Sequence, residues 1–550
     1  MNITKVIIEN YKCFYGRFTF EPNIGLNILV GDNEAGKSTI LEAIHLALTG
    51  ILNGRYLKNE LTQYLFNIDS VNSYLKNLEE GKPAILPHIL IEIYFDGEDI
   101  ALFNGNGNSE KSNSANGISF KIEFDSEKYQ AEYEELIKTG NIKTVPIEYY
   151  DIVWTSFARQ GITAKRIPLK SALIDSSSNR YQNGSDIYIS RIIRENLEHK
   201  EIVDITQAYR KMQEVFMDED AIKTINEKIQ SAAKISEKNV KLSVDLSSKN
   251  AWETSLMTYL DDIPFQNIGK GEQCIVKTKL ALGHKKSKEA NILLLEEPEN
   301  HLSHTKLNEL IHNIKANMGD KQILISTHSS FVANKLGLDS LILLNDNKII
   351  KLKDLSPDTK SFFSHLSGYD TLRLILCKKA ILVEGDSDEL VIQKAYMKEY
   401  NRKLPIENGI DVISVGTAFL RFLQIAEKLN KTVAVVTDND GDVEAVQKKY
   451  AGYLGANAKL NISICFDSTI DSGSLSIGTK SKPFNYNTLE PKLLKENGRE
   501  KVNAVLGTSF PIDDDLHKYM HANKTECALK FFETTEEIKF PQYILDAFAR

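Results

Sequence analysis

Gly31-Asp32-Asn33-Glu34-Ala35-Gly36-Lys37-Ser38 follows the apolar run Leu26-Asn27-Ile28-Leu29-Val30 and precedes Ile40 to Leu48, where apolar residues recur at helical spacing. A strand, a GxxxxGKS loop and a helix in that order form a phosphate cradle. Glycines let backbone N–H groups close around the anion, and the helix N-terminus favours negative charge. Read this way, Gly31, Asn33 and Gly36 shape the loop and Lys37 reaches the β- and γ-phosphates of ATP. The Ser38 hydroxyl binds magnesium, and Thr39 is counted with the nucleotide-contacting residues.

Outward from this loop the chain alternates strands and helices. Val6-Ile7-Ile8, Phe18-Thr19-Phe20 and Ile89 to Phe95 read as strands. Asn104 to Gly117, rich in Asn, Ser and Gly, is expected to be a surface loop. Ser190 to Ser236 is polar, helical in pattern and free of Pro and Gly. It reads as a helical insertion able to form a hairpin, and as a solvated arm more readily than a DNA-reading element. Strand runs return at Ile292 to Leu295 and Ile323 to Ile325. A second unit starts near Leu374, with Ala380 to Val383, a helix, Val412 to Val415, a helix, and Val433 to Val436. This βαβαβ rhythm implies a parallel sheet. No internal repeat is present. The expected plan is an α/β ATPase domain in two parts, 1–165 and 261–370, around a dimerising helical insertion at 166–260, then a second α/β domain at 371–550.

Three further pieces accompany the loop. Ile292 to Leu295 runs into Glu296-Glu297-Pro298-Glu299, where one acid can complete a magnesium shell and the next can polarise an attacking water. Gly269-Lys270-Gly271-Glu272-Gln273 lies about 20 residues earlier. His328, in Ser326-Thr327-His328-Ser329, ends the next strand. A lone histidine is usually structural. One at a strand C-terminus in such a sheet is placed to sense a γ-phosphate, because ligands collect there. The set resembles the ABC-type ATPases of the SMC and RecF group over residues 1 to about 350. That resemblance implies Glu296 as the Walker B acid, Glu297 as the catalytic glutamate and His328 as the switch histidine. It also implies that Gly269, Gly271 and Gln273 belong to a signature segment contacting ATP on a second subunit. Gly269 and Lys270 stand near the position where that group has a serine, and Gln160 is a weak match to its Q-loop glutamine. Two heads are needed for hydrolysis in that group, so a homodimer or a dimer of dimers is implied.

The second unit carries paired acids. Glu384 ends its strand run, and Asp388, four residues on, falls where a helix begins. Asp438 and Asp440 alternate just beyond Val433 to Val436, so an extended backbone would point both to one side. Parallel topology brings these strand ends together, and crowded carboxylates repel unless cations bind. Magnesium or manganese, held by oxygen ligands, is the natural neutraliser, and two such ions can drive phosphodiester cleavage. The competing reading is plain turn and cap chemistry, for which Asp-Ser-Asp and Asp-Asn-Asp-Gly are well suited.

Val383-Glu384-Gly385 followed by Asp438-Asn439-Asp440 resembles the Toprim fold. A P-loop ATPase joined to a C-terminal Toprim domain resembles the OLD (overcoming lysogenization defect) nucleases, relatives of the Gabija nuclease, over nearly the whole chain. The resemblance implies Glu384, Asp388, Asp438, Asp440 and Glu490 as metal ligands and Lys524 as a catalytic lysine. The family often has Glu where this chain has Asp388. A surface Glu or Lys is the competing reading of Glu490 and Lys524.

Bulk properties narrow the field. At 550 residues the chain exceeds one core, so about two to four domains are expected. A net charge of −8 and a pI near 5.9 argue against an exposed, constitutively basic DNA cradle. Cys13, Cys274, Cys377, Cys465 and Cys527 show no CxxC spacing, so reduced thiols are expected rather than a zinc ribbon or disulfides. No apolar run approaches the roughly 18 residues of a membrane span, and the N-terminus does not read as a signal peptide, so a cytoplasmic protein is expected. The leading expectation is a metal-dependent DNA endonuclease controlled by ATP; the resemblance to the OLD nucleases further implies an anti-phage effector acting alone or with a helicase or a retron reverse transcriptase and its DNA. The alternative is an ATP-driven DNA clamp or scaffold with a degenerate, non-cutting Toprim domain.

Overall fold

The computed structural model describes residues 1–549 apart from 32–33, 54, 98–99, 113, 139–141, 176–180, 183–184, 187–196, 233–241, 245–251, 253–256, 284–290, 301, 317–318, 320, 346–347, 352–354, 366–370 and 478–481. Contacts divide the chain into two units, 1–328 with 344–349, and 329–343 with 350–550.

The first unit is built on two sheets. Its elements in chain order are β1 (Ile3–Glu9), β2 (Arg17–Phe20), β3 (Leu26–Gly31), α1 (Lys37–Thr49), β4 (Ile89–Phe95), β5 (Ala115–Phe124), β6 (Tyr150–Ser156) and β7 (Ser171–Asp175), then α2 (His199–Asp218), α3 (Asp220–Ala232), α4 (Lys270–Gly283), β8 (Ile292–Glu296), β9 (Gln322–Ser326), β10 (Leu341–Asn345) and β11 (Lys348–Lys351). An antiparallel sheet runs β2-β1-β4-β5 and continues to β6. The other sheet runs β7-β8-β9-β3-β10-β11. Within it β7, β8, β9 and β3 are all parallel, with Glu296 opposite Ser326 and Ser326 opposite Leu29. Ile28, Leu293, Leu294, Ile323 and Leu324 are essentially inaccessible, as continuous apolar runs must be in a sheet covered on both faces.

Helix α1 packs on β4 of one sheet and on β7 and β8 of the other. Its Ile40, Leu41, Ile44 and Leu48 are buried, each contributing roughly 2 kcal/mol. Gly50 ends it at φ 69°, donating its N–H to the Leu46 carbonyl. Gln322 joins the sheets: its side chain accepts from the Ile3 N–H (2.8 Å) and donates to the carbonyls of Ile3 (3.0 Å) and Asn23 (2.9 Å).

The helical insertion is present as the α2–α3 hairpin; residues 190–196 and 233–236 of the expected span lie outside the described residues. Met212, Val215 and Phe216 lie three and four apart on α2, each more than half exposed. The Asn104–Gly117 segment differs from a plain loop. Asn104–Gly105 and the start of β5 pair with each other, and the chain between them is bonded down onto the sheet.

The second unit contains β12 (Lys379–Val383), α5 (Asp386–Glu399), β13 (Ile410–Ser414), α6 (Phe419–Lys428), β14 (Thr432–Val436), β15 (Ile462–Cys465), α7 (Leu489–Asn497) and α8 (Lys524–Glu533). The sheet order is β13-β12-β14-β15, parallel throughout. The βαβαβ expectation therefore holds, and the two acid-bearing strands, β12 and β14, are direct neighbours. Its core gathers Ile381, Val391, Ala434, Leu493, Phe531 and Ile544.

Candidate functional site

In the first unit the loop after β3 is shaped by close approach. Gly36 sits at φ 96°, and a Cβ there would lie 2.5 Å from the Phe14 ring and 3.1 Å from the Cys13 sulfur. A Cβ on Gly31 would lie 2.5 Å from the Leu344 carbonyl oxygen. Lys37, 5% exposed, donates to the Gly31 carbonyl at 2.9 Å, so its ammonium lies across the loop. Ser38 is exposed at the helix start, and the Thr39 hydroxyl is 3.4 Å from the Cys13 sulfur. Asn33 lies outside the described residues. Gly36→Ala is expected to cost about 2–4 kcal/mol, from left-handed backbone strain plus overpacking, and to abolish nucleotide binding. An unchanged urea midpoint with normal ATP affinity would contradict this account of the loop.

Parallel pairing places the ends of β8 and β9 on the same sheet edge. Glu296 ends β8, and Glu297 follows at φ 40°, its N–H donating to the Ser326 carbonyl at 3.0 Å. Strain of this kind in a non-glycine residue concentrates at functional sites. Glu297 is held at both oxygens: Asn300 donates to one at 2.8 Å, and His328 Nε2 is 3.2 Å from the other. The sequence reading thus brought Glu297 and His328 to one place but missed their support. Glu299 accepts from the Thr327 hydroxyl (2.5 Å) and the His328 N–H (2.9 Å), and burial raises its carboxyl above the usual range. Glu299 therefore sets the backbone that carries His328. Its presence in the quoted acid run was the signal available.

Gly269, Gly271 and Gln273 open α4. Gly269 is exposed, with nothing within 4 Å of a Cβ built on it. Gln273 is buried and donates to the Ile268 carbonyl at 2.8 Å, so its side chain shapes this turn. Gln160 is exposed just beyond β6.

In the second unit the carboxylates converge. Glu384 follows β12, Asp388 lies in the first turn of α5, Asp438 and Asp440 follow β14, and Glu490 lies in the first turn of α7. Burial pushes Asp388 up to about 6, with Glu490 and Glu384 adding to the rise against a Gly385 N–H bond that opposes it. Asp438 is pushed well above its usual range by burial, then by the charges of Asp388, Glu384, Glu490 and Asp440. The charges of the other four all act on Asp438, which puts it at the centre of an electrostatic cluster. Lys524 Nζ is 3.4 Å from Glu490, whose side chain is 8% exposed. Among the described residues, no three or more His, Cys, Asp or Glu side chains are already gathered as a bound metal would hold them. The donors are nonetheless all carboxylates, which fits a hard, oxygen-seeking dication.

Asp438 and Asp440 do not alternate along an extended strand. Asp440 adopts φ 50° in a turn. The cause is Asn439, whose side chain donates to the carbonyls of Asp467 (2.6 Å) and Thr469 (2.9 Å) and accepts from the Gly441 N–H (2.9 Å). Asn485 donates to Asp440 at 2.8 Å, and the Leu489 N–H to Asp438 at 3.3 Å. Tyr543 is a second residue that sequence reading missed. Burial, then the charges of Asp438 and Asp388, holds its hydroxyl protonated far above the usual range, so it lies within the field of the cluster.

Comparison with known proteins matches both units. Residues 5–318 match the AAA domain family, and residues 375–440 match the TOPRIM domain of overcoming lysogenization defect protein-like proteins. Among solved structures, an SMC head bound to the C-winged helix domain of ScpA is 15% identical, covering 64% of this chain and 98% of its own, with a TM-score of 0.33. The SMC head domain from Thermotoga maritima is 14% identical, covering 62% and 94%, with a TM-score of 0.28. A head domain with an extended coiled coil, bound to the C-terminal domain of ScpA derived from Pyrococcus furiosus, is 12% identical, covering 63% and 95%, with a TM-score of 0.32.

Proposed function

We propose, for a chain that belongs to the family of AAA-type ATPases carrying an overcoming-lysogenization-defect-like Toprim domain, that it is a divalent-metal-dependent DNA endonuclease regulated by ATP. The observation that carries the reading is the five-carboxylate cluster at neighbouring strand ends with Lys524 beside it. Glu384, Asp388, Asp438, Asp440 and Glu490 would hold magnesium or manganese, which supplies an activated water and charge for the leaving oxygen. Lys524, exposed at the edge of the cluster, balances charge on a scissile phosphate. In the ATPase unit Gly31, Asn33, Gly36, Lys37, Ser38 and Thr39 would bind ATP with its magnesium, Glu296 completing the metal shell. Glu297, oriented by Asn300 and His328, accepts a proton from the attacking water. Gly269, Gly271 and Gln273 act on the nucleotide of a second subunit. The biological role proposed is cytoplasmic defence against phage, alone or with a helicase or a retron reverse transcriptase and its DNA.

The test is cleavage of supercoiled and linear DNA in magnesium or manganese, with and without ATP. Metal-dependent cutting that disappears in Glu384→Ala, with ATP hydrolysis retained, supports the nuclease. A second reading, an ATP-driven DNA clamp, is favoured by one observation: Asp388 already spends one oxygen on the Gly385 N–H at 3.0 Å. Function lost in Lys37→Ala but kept in Glu384→Ala would establish it.

The α2 stripe of Met212, Val215 and Phe216 is the proposed contact between two heads. Phe216→Glu is expected to halve the mass seen by light scattering with ATP present, and to lower ATP turnover at least about tenfold, since a buried interface charge costs several kcal/mol. A wild-type chain that stays monomeric at every concentration with ATP would sink the two-head reading.

A further inference from the structure

The outer face of the antiparallel sheet holds a cavity of about 500 Å³ that the phosphate chemistry above does not use. Period-two alternation turns Leu90 and Glu92 of β4, Ser119 and Lys121 of β5, and Val153 and Thr155 of β6 to this face. The segment after Asn104 covers it and supplies Lys111; the turn after β6 supplies Arg159. A volume of this size suits a small-molecule ligand.

The walls are built rather than incidental. Glu92, 1% exposed, accepts from the Ser109 N–H and hydroxyl, each at 2.7 Å, and from the Tyr94 hydroxyl at 3.1 Å. Its oxygens are thus occupied in anchoring the covering segment. Gly107 donates to the Phe157 carbonyl at 2.8 Å, and a Cβ on Gly105 or Gly107 would lie within 2.3 Å or 2.7 Å of that oxygen. Glu110, the acid on the covering segment, is held in ion pairs with Lys5 and Arg17.

Three cations line the cavity beside Asn106, Asn108 and Thr155, and the charge of one, Lys121, also reaches the Glu9 carboxylate. Among the described residues Lys111, Lys121 and Arg159 are in no ion pair. Lys111 and Arg159 are both held at positive φ, 53° and 62°, strain of the kind found at ligand clamps. On the floor, Ser119 is 2% exposed and its hydroxyl has no hydrogen-bond partner. Three cations converging on a concave site fit a multiply charged anion, and the planar guanidinium of Arg159 suits phosphate oxygens in particular.

The geometry points to a further ligand site here, separate from the P-loop and the acidic cluster, that takes a small phosphate-bearing molecule of about mononucleotide size. The probes are pyrophosphate and adenosine 5′-monophosphate, titrated by calorimetry into the full chain. The background is Lys37→Ala in EDTA, which removes the P-loop ammonium and metal-bridged phosphate at the carboxylates. Binding of either probe, weakened at least about tenfold when Lys121→Ala or Arg159→Ala is added, is the expected result, each change removing a charge-assisted bond. No binding, or affinity indifferent to both changes in variants that melt normally, would overturn it. Lys121-dependent binding of a short single-stranded oligonucleotide but of neither small probe would also overturn it, making this face a nucleic-acid surface.

Discussion

Replacing Asp438 with asparagine is expected to abolish metal-dependent DNA cleavage while making the metal-free protein more stable. Asp438 is raised first by burial and then by the charges of four neighbouring carboxylates. Losing a metal-binding charge removes several kcal/mol of transition-state stabilisation, a loss of at least about 10³-fold in rate. The same change relieves repulsion in the empty cluster. Asparagine keeps an oxygen for the Leu489 N–H, so the local backbone has no reason to move. A gain on the order of 1–2 kcal/mol, about 3–6 °C in melting temperature, is expected near neutral pH. Asp388 and Asp438 both have folded values above their unfolded ones. The native state therefore holds more protons than the unfolded chain from about pH 4 up to about 6 for Asp388, with Asp438 adding to the effect in the same direction. Stability of the metal-free protein falls as pH rises through that window, and wild type and variant converge at low pH, where the carboxyls are neutral in both states. Manganese should restore wild-type stability at pH 8 and do little at pH 5. A variant that melts lower than wild type at neutral pH without metal would show that Asp438 is structural.

Glu297→Gln is expected to leave ATP binding intact while lowering turnover by about 10²–10⁴-fold, the range of a lost general base. The amide retains an oxygen for Asn300, and the left-handed backbone at this position is equally strained in both residues, so the fold is preserved. Retained nucleotide should lock one conformational state, and DNA cleavage in that state reports whether ATP activates or restrains the nuclease. If ATP alters DNA affinity, DNA must alter ATP affinity by the same factor. Isotope-labelled ATP retention on gel filtration, beside a phosphate-release assay, reads both quantities. Unchanged turnover would remove Glu297 from the proton-accepting role.

Much of this protein was legible because its signals are local. The P-loop, the runs that become β8 and β9, and the βαβαβ order of the second unit depend on residues adjacent in the chain, where periodicity and turn chemistry act directly. Strand order followed only in part. That the strands of the second unit lie parallel was implied by their βαβαβ order, whereas β12 lying beside β14, and β9 lying between β8 and β3, were not.

The sequence by itself determined which residues carry charge and in what order the acid-bearing strands occur. Tertiary structure decided where those charges point. Asp440 turns away from an extended path because Asn439 bonds to carbonyls some 30 residues further on. Glu299 became a support for His328 only once β8 and β9 paired. Tyr543, about 100 residues after Asp438 in the sequence, came within the field of the carboxylates with no local pattern to announce it. Hydrogen bonds and charge repulsion act over a few ångströms of space whatever the separation along the chain, so these arrangements are set by the packed fold.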